Sequence, residues 1–191
     1  MVAQRRLRAD AERSVQAILD AAERLLGADP AAPLEEIAAA AGVSRTTVHR
    51  HFATRDALAD TLAATAVRQM KAAVDEARLM TAPPLVALHQ ATVGVLQVML
   101  GRRFAIGHLV VIEQETNQPH AEVREQWLAW FRRAQEAGVI RPEADLLWAR
   151  RAYEALIYET FRGEDVGADP DALAERVVNT LLGGFGVGPR S

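Results

Sequence analysis

LEEIAAAAGVSRTTVHRHFATR, residues 34–55, decides the fold of the N-terminal part of this chain. Pro33 suits a first helical position, and the two glutamates after it favour the positive end of a helix dipole, so a helix is predicted to begin here and to stop at Gly42. Ser44 is a preferred N-cap residue and predicts a second short helix that reaches about Phe52. Two short helices joined by a tight turn that contains glycine are typical of a helix-turn-helix.

The apolar residues of this stretch predict which side of each short helix is buried. Ile37 and Ala38 lie on the inner face of the first helix, and Val48 holds the second helix to the core. The outer side of the second helix then carries Arg45, Thr46, His49 and Arg50. Side chains of this kind reach phosphates and base edges in the major groove of DNA. The alternative is an ordinary helical hairpin that binds no nucleic acid.

Charge is distributed unevenly along a chain whose net charge is −3. Residues 1–55 contain eight arginines and seven acidic residues, whereas the rest of the chain contains fourteen basic and eighteen acidic residues. Residues 42–55 contain three arginines and no acid, and a basic arm lies at Arg5, Arg6 and Arg8. Such clusters favour a local anion-binding surface, and a solvated basic face is the alternative.

The composition excludes several classes of protein. Half of the 191 residues are hydrophobic, which is enough for a packed core and argues against disorder. The chain has no cysteine, so disulfides and thiolate metal sites are excluded. No apolar run approaches the roughly 20 residues that span a bilayer, and the first residues lack the apolar segment of a secretory signal. These features fit a cytoplasmic protein.

Apolar residues at helical spacing predict an all-α chain of about nine helices. The first begins at a cap on Asp10 and ends at Gly27, and the fourth is capped by Thr54 and extends over about 54–80. Five more helices follow, and their ends are predicted from Pro83 and Pro84, Gly101, Pro119, Gly138, Pro142 or Asp145, Asp169 and Pro170. The tail after Gly183 is predicted to be frayed.

Residues 18–58 resemble the DNA-binding domain of the tetracycline-repressor (TetR) family of transcriptional regulators. ILDAAERLL matches the family's first helix, "Il.AA..L", and IAAAAGVSRTT matches "IA..AGVS..T". HRHF corresponds to the aromatic end of the recognition helix, "Y.yF", and RDAL to the start of helix four. The order and spacing of the four motifs agree with the family. The resemblance implies a three-helix helix-turn-helix domain over 1–55, joined through helix four to an effector-binding and dimerisation domain over 56–191.

The resemblance also implies roles for individual residues. Thr47 stands at a phosphate-binding threonine, Arg55 at a position often filled by a phosphate-contacting lysine, and Phe52 at the aromatic that packs the recognition helix onto helix four. Thr46, His49 and His51 replace a frequent Gly, Tyr and Tyr or His, which leaves the operator sequence open. The predicted DNA-binding residues are Ser44, Arg45, Thr46, Thr47, His49, Arg50, His51 and Arg55.

Histidine raises a second possibility, a metal site formed by His49 and His51. Because the two histidines lie two positions apart on a helix, their rings point about 200° apart and cannot hold one ion. We therefore predict neither a metal site nor a cofactor.

The C-terminal part carries apolar stripes with two possible uses, plain core and dimer packing or a ligand pocket. The resemblance implies a pocket, and its candidate lining residues are His89, Gln97, Phe104, His108, Trp127, Trp130 and Phe131. It also implies that helices eight and nine pair with their copies in a homodimer.

The function expected from these features is that of a homodimeric repressor of transcription. It would bind a palindromic operator in double-stranded DNA and be released by a small apolar or amphipathic ligand. One alternative is a helix-turn-helix dimer without an effector. The other is a helical enzyme, but the sequence lacks a phosphate loop, a nucleophile elbow and an HExxH motif. The role of the basic arm is left open, since a solvated arm fits the same residues.

Overall fold

The computed structural model describes residues 2–116, 121–162 and 168–188, and within them the chain forms nine helices, as predicted. The helices are α1 Val2–Ala28, α2 Leu34–Ala40, α3 Arg45–His51, α4 Arg55–Glu76, α5 Pro84–Gly101, α6 Arg103–Thr116, α7 Ala121–Glu136, α8 Leu146–Arg162 and α9 Pro170–Phe185. The predicted all-α fold class is confirmed. Pro119, expected to open α7, lies outside the described residues.

The chain forms two compact units, and their limits differ from the domain limits expected from the sequence. The first unit holds the residues up to Ala66 together with Arg102–Thr116, and the second holds Val67–Gly101 with the described residues after Thr116. Helix α6 therefore packs with the helix-turn-helix, mainly on α1, although the sequence places it among the C-terminal helices. The functional assignment of 1–55 and 56–191 stays a prediction.

Local signals predicted most helix ends. The N–H of Thr47 donates to Ser44 Oγ at 3.1 Å, and the N–H of Ala57 donates to Thr54 Oγ1 at 3.1 Å. Asp145 and Asp169 accept N–H groups in the same way at the starts of α8 and α9. Gly42 and Gly138 have φ angles of 66° and 70°, a left-handed conformation that glycine adopts without strain.

Three expectations about helix ends were wrong. Asp10 does not cap α1, because the helix begins at Val2 and already includes the backbone of the basic arm. Pro33 is the N-cap of α2 and not its first helical residue. The tail after Gly183 is ordered further than expected, since α9 continues to Phe185 and the N–H of Val187 donates to the carbonyl of Val139 at 3.1 Å. A long-range backbone bond of this kind leaves no local sequence signal.

The second unit is built around α5, which packs against α7, α8 and α9. By length and composition alone, helix α5 is long and apolar enough to cross a membrane, contrary to the expectation that no apolar run approaches such a length. The inner helix of a soluble protein passes the same test, and α5 has six buried residues: Ala87, Leu88, Ala91, Thr92, Leu96 and Met99. Gly94 allows a close approach to α4, since a Cβ on it would lie 2.8 Å from the Cβ of Ala73.

Candidate nucleic-acid interface

The turn between α2 and α3 is held by both side-chain burial and backbone hydrogen bonds. Ile37 and Val48 are fully buried, so each short helix is fixed to the core of the first unit by one face. The N–H of Val43 donates to the carbonyl of Ala38 at 3.0 Å, which closes the turn around Gly42. The direction of α3 is therefore set by residues within one short stretch of chain.

The face of α3 that points away from the core is polar and exposed. It carries the four residues predicted for it: Arg45, Thr46, His49 and Arg50. Arg55, at the first position of α4, is half-buried. Two arginines on this face, Arg55 beside it and no acid among residues 42–55 give this stretch a positive charge by sequence, and positive charge is attracted to the phosphates of DNA.

Three other predicted DNA-binding residues, Ser44, Thr47 and His51, differ from the exposed four in their contacts within the protein. The hydroxyls of Ser44 and Thr47 lie 2.8 Å apart and bond each other, so both are engaged in capping α3. His51 is half-buried beside Phe52, and its Nε2 atom is buried and has no hydrogen-bond partner among the described residues. His51 thus does not share the outer face with His49, as the angle between the two positions on a helix requires.

An acidic residue that the sequence did not assign to this surface also reaches it. Glu35 on α2 forms an ion pair with Arg45, with Oε1 and Nη2 2.9 Å apart. Arg45 Nε in turn donates to His49 Nε2 at 3.4 Å. Glu35 and Arg45 lie ten positions apart, so only the crossing of α2 and α3 brings them together.

The start of α6 is held onto α1 by a cluster that we call the α6 clasp, formed by Asp20, Glu23, Arg102 and the backbone of Phe104 and Ala105. Glu23 Oε1 accepts hydrogen bonds from the backbone N–H groups of Phe104 at 2.8 Å and Ala105 at 3.4 Å. Arg102 Nη1 lies 3.2 Å from Asp20 Oδ1. Glu23 is only 7% exposed, and this burial raises its carboxyl pKa above the ordinary 4.5. The backbone N–H groups and the charge of Arg102 offset part of that rise.

The comparisons with known proteins now identify the family. A family model described as "Bacterial regulatory proteins, tetR family" matches residues 18–62. The HTH-type transcriptional repressor LfrR of Mycolicibacterium smegmatis is 30% identical over 188 residues, which is 94% of this chain and 94% of that protein. The chain belongs to the TetR family. It is therefore a helix-turn-helix transcriptional regulator and not an enzyme, as predicted.

Solved structures agree with the membership of this TetR-family protein. LfrR of Mycobacterium smegmatis in complex with proflavine has a TM-score of 0.68 and 28% identity, covering 93% of this chain and 99% of that chain. PfmR, a TetR family regulator from Thermus thermophilus, has a TM-score of 0.71 at 21% identity, covering 90% of this chain and 99% of that chain. The second likeness shows the fold alone.

The residues predicted to line a ligand pocket do not all lie in the same unit. Phe104 and His108 belong to the first unit, where their rings stack and His108 Nε2 lies 2.9 Å from Asp60 Oδ1. The other five belong to the second unit: His89, Gln97, Trp127, Trp130 and Phe131. Among these, Gln97 is exposed, and His89 bonds Asp171 on α9 at 3.1 Å. A lining role for these residues stays a prediction.

Three of the predicted pocket residues form an aromatic cluster in the second unit. The ring of Trp130 lies 6.1 Å from Trp127 and 4.9 Å from Phe131, and Trp127 lies 4.5 Å from Tyr153. Tyr153 is buried, and its hydroxyl lies 3.0 Å from that of Thr92. Burial raises the pKa of Tyr153 well above its usual value, so the hydroxyl stays protonated. We call Trp127, Trp130, Phe131 and Tyr153 the aromatic cluster.

Helix α8 has a second side on which aromatic side chains are exposed. Tyr153 and Ile157 point into the core, whereas Trp148 is 54% exposed and Tyr158 37%. The guanidinium of Arg151 lies 5.7 Å from the centre of the Trp148 ring. The part of the chain that the structure describes contains no group of three metal-ligating side chains, at the two histidines of α3 or elsewhere.

Proposed function

We propose that this TetR-family protein is a homodimeric, cytoplasmic repressor that leaves a palindromic operator when a small apolar or amphipathic ligand binds. The exposed polar face of α3 is the observation that carries the DNA-binding part. It presents two arginines, a threonine and a histidine on a short helix fixed to a rigid core, which suits contacts to base edges in a major groove. Arg55 adds a phosphate contact beside it. LfrR, the relative at 30% identity, is named a repressor.

Dimerisation is supported by the exposed side of α8. Large aromatic residues are enriched at protein interfaces, and on α8 Trp148 is 54% and Tyr158 37% exposed. In the proposed dimer, α8 and α9 pair with their copies in a four-helix bundle. The two-fold axis then spaces the recognition helices about 34 Å apart or at a multiple of it, which matches a palindromic operator.

Effector binding is assigned to the second unit, around the aromatic cluster. An apolar lining with few polar groups is typical of ligand sites, and the hydroxyls of Tyr153 and Thr92 supply the polar groups here. The relative LfrR has been solved with proflavine. The ligand lowers operator affinity by the factor by which it binds the DNA-free protein more tightly than the DNA-bound protein.

A second candidate is a DNA-binding dimer without an effector. The complete burial of Trp130 and Phe131 favours it, because these rings already fill the space that they line. Thermal-shift measurements over a chemical library separate the two candidates. A compound that raises the melting temperature and also lowers operator affinity supports the repressor with an effector.

The DNA-binding proposal is tested by gel shift. Wild-type protein first selects duplexes from a random library, and the selected duplex is then titrated with the Arg50→Ala/Arg55→Ala double variant. We expect affinity to fall about ten-fold or more, because two contacts of an anionic duplex are lost. Arg132→Ala, an exposed arginine on α7, is the control and should bind as the wild type does.

Two results would contradict the proposal. Unchanged binding by the double variant would remove α3 and Arg55 from the interface. A molar mass of one chain in light scattering would remove the homodimer.

A further inference from the structure

Glu35 is an acidic side chain on a surface that the proposed function assigns to DNA. Its Oε1 lies 2.9 Å from Arg45 Nη2, and the two side chains are 48% and 66% exposed. An exposed ion pair contributes little to folding stability, with a typical value between 0 and about 1 kcal/mol. A carboxylate also lowers the affinity of its neighbourhood for a polyanion. Neither stability nor affinity therefore accounts for an acid at this place.

Arg45 is held from both sides of its guanidinium. Nη2 faces Glu35, and Nε donates to His49 Nε2 at 3.4 Å. An arginine carries five N–H donors, so these two contacts leave three for DNA. The direction in which those three point is set by Glu35 on one side and by His49 on the other.

The contact to Arg45 also engages one of the two ring nitrogens of His49. Because Nε2 faces Arg45 Nε, Nδ1 is the ring nitrogen that remains for a phosphate or a base. Glu35, Arg45 and His49 are thus linked in one polar network across the exposed face of α3.

Preorganisation of a long side chain affects specificity more than affinity. A guanidinium discriminates a guanine from other bases when its fork meets two acceptors in one orientation, whereas contacts to phosphates are tolerant of direction. Without a partner, Arg45 samples many rotamers and contacts neighbouring phosphates equally well. A partner that restricts these rotamers before binding favours the one orientation that suits a base pair.

We propose that Glu35 is a positioning residue that orients Arg45, and through it His49, and so raises the preference of this protein for its operator over other DNA. Glu35 itself does not contact DNA. The proposal rests on the assignment of α3 as the recognition helix and adds to it a specificity-determining residue on α2.

The test compares two neighbouring acids on one helix. Glu36 is exposed next to Glu35 and carries the same charge. Each is replaced by alanine, and affinities are measured for the duplex that the wild type selects and for a scrambled duplex of the same composition. Removing either charge should raise affinity for the scrambled duplex, because a carboxylate repels the phosphates. Glu36→Ala leaves the ratio of the two affinities unchanged, whereas Glu35→Ala lowers it about five-fold.

Two further variants separate positioning from charge. Glu35→Gln keeps an acceptor oxygen without the charge and should restore part of the ratio. In an Arg45→Ala background, Glu35→Ala should leave the ratio unchanged, because the residue that it orients is gone. Melting temperatures of all variants are compared to show that the fold is retained.

The outcomes distinguish the two proposals from each other. If the wild type selects no duplex, the DNA-binding function is wrong and the role of Glu35 falls with it. If the wild type selects a duplex and the Arg50→Ala/Arg55→Ala variant loses it, but Glu35→Ala behaves as Glu36→Ala does, only the role of Glu35 is wrong.

Discussion

The exposed polar face of α3, which we propose to contact DNA and call the recognition surface, is built in the opposite way to the aromatic cluster. The first lies on seven consecutive residues of α3 and their neighbours in α2, and its polar side chains are exposed. The second joins residues of α7 and α8, with a hydroxyl from α5, and its rings are buried. The surface is thus held by short-range capping and a tight turn, and the cluster by long-range packing. Changes in the two regions should therefore affect different properties.

The largest effect is expected from Trp130→Ala. Trp130 is fully buried, and its removal leaves a cavity in the second unit. We expect the free energy of unfolding to fall by about 3–5 kcal/mol, measured by denaturant titration. Leu85→Ala on the exposed side of α5 is the control and should cost far less. A loss of equal size in both variants would show that the aromatic cluster does not support the second unit.

A smaller and more local effect is expected from Ser44→Ala. The variant loses the cap on the N–H of Thr47, and such losses cost about 1 kcal/mol. Amide exchange along α3 should accelerate and operator affinity should fall, because the helix frays at the end that presents Arg45. Ser14→Ala, which removes a hydroxyl that donates to the carbonyl of Asp10 within α1, is the matched control. Equal exchange rates along α3 in both variants would contradict a role for the cap.

The smallest effect concerns the pH dependence of the α6 clasp. Because burial raises the pKa of Glu23 in the folded state, the Glu23 carboxylate binds a proton more readily in the folded protein than in the unfolded chain. Stability from this proton is fully present below pH 4.5, the ordinary pKa, and is lost as the pH rises through the folded pKa. The unfolding free energy of the wild type relative to Glu23→Gln should thus increase as the pH is lowered from neutral toward 4.5.

The same titration with Glu36→Gln, an exposed acid, controls for the loss of a carboxylate. A difference between wild type and Glu23→Gln that stays constant with pH would show that Glu23 is not desolvated in solution. The α6 clasp would then resemble the exposed recognition surface more than the buried aromatic cluster.

Much of the first unit followed from local patterns. Gly42 predicts the end of α2, Ser44 and Thr54 predict the starts of α3 and α4, and the apolar positions alone predict the outward face of α3. The motif HRHF places His51 among the predicted DNA-binding residues, although helical spacing already separates it from His49. The half-buried position of its ring agrees with the spacing.

Other features needed the folded chain. The ion pair of Glu35 with Arg45 depends on the crossing of two helices, and the α6 clasp joins Glu23 to Ala105 across 82 positions. The sequence predicts one set of ligand-binding residues because each of them lies on or beside an apolar stripe. The stripe of Phe104 and His108 packs in the first unit and that of Trp127 and Trp130 in the second. Spacing shows that a stripe exists but not which helix covers it.

The amino-acid sequence by itself determined the helices, the helix-turn-helix and the family of this protein. Caps, turns and helical periodicity act between residues about four positions apart, so a short stretch of sequence contains all of the interacting groups. The tertiary structure decided which helices share a core, where α6 packs, and which acid stands beside the recognition helix. Those outcomes depend on burial and on charge pairs between distant segments, and their energies exist only once the chain has brought the segments together.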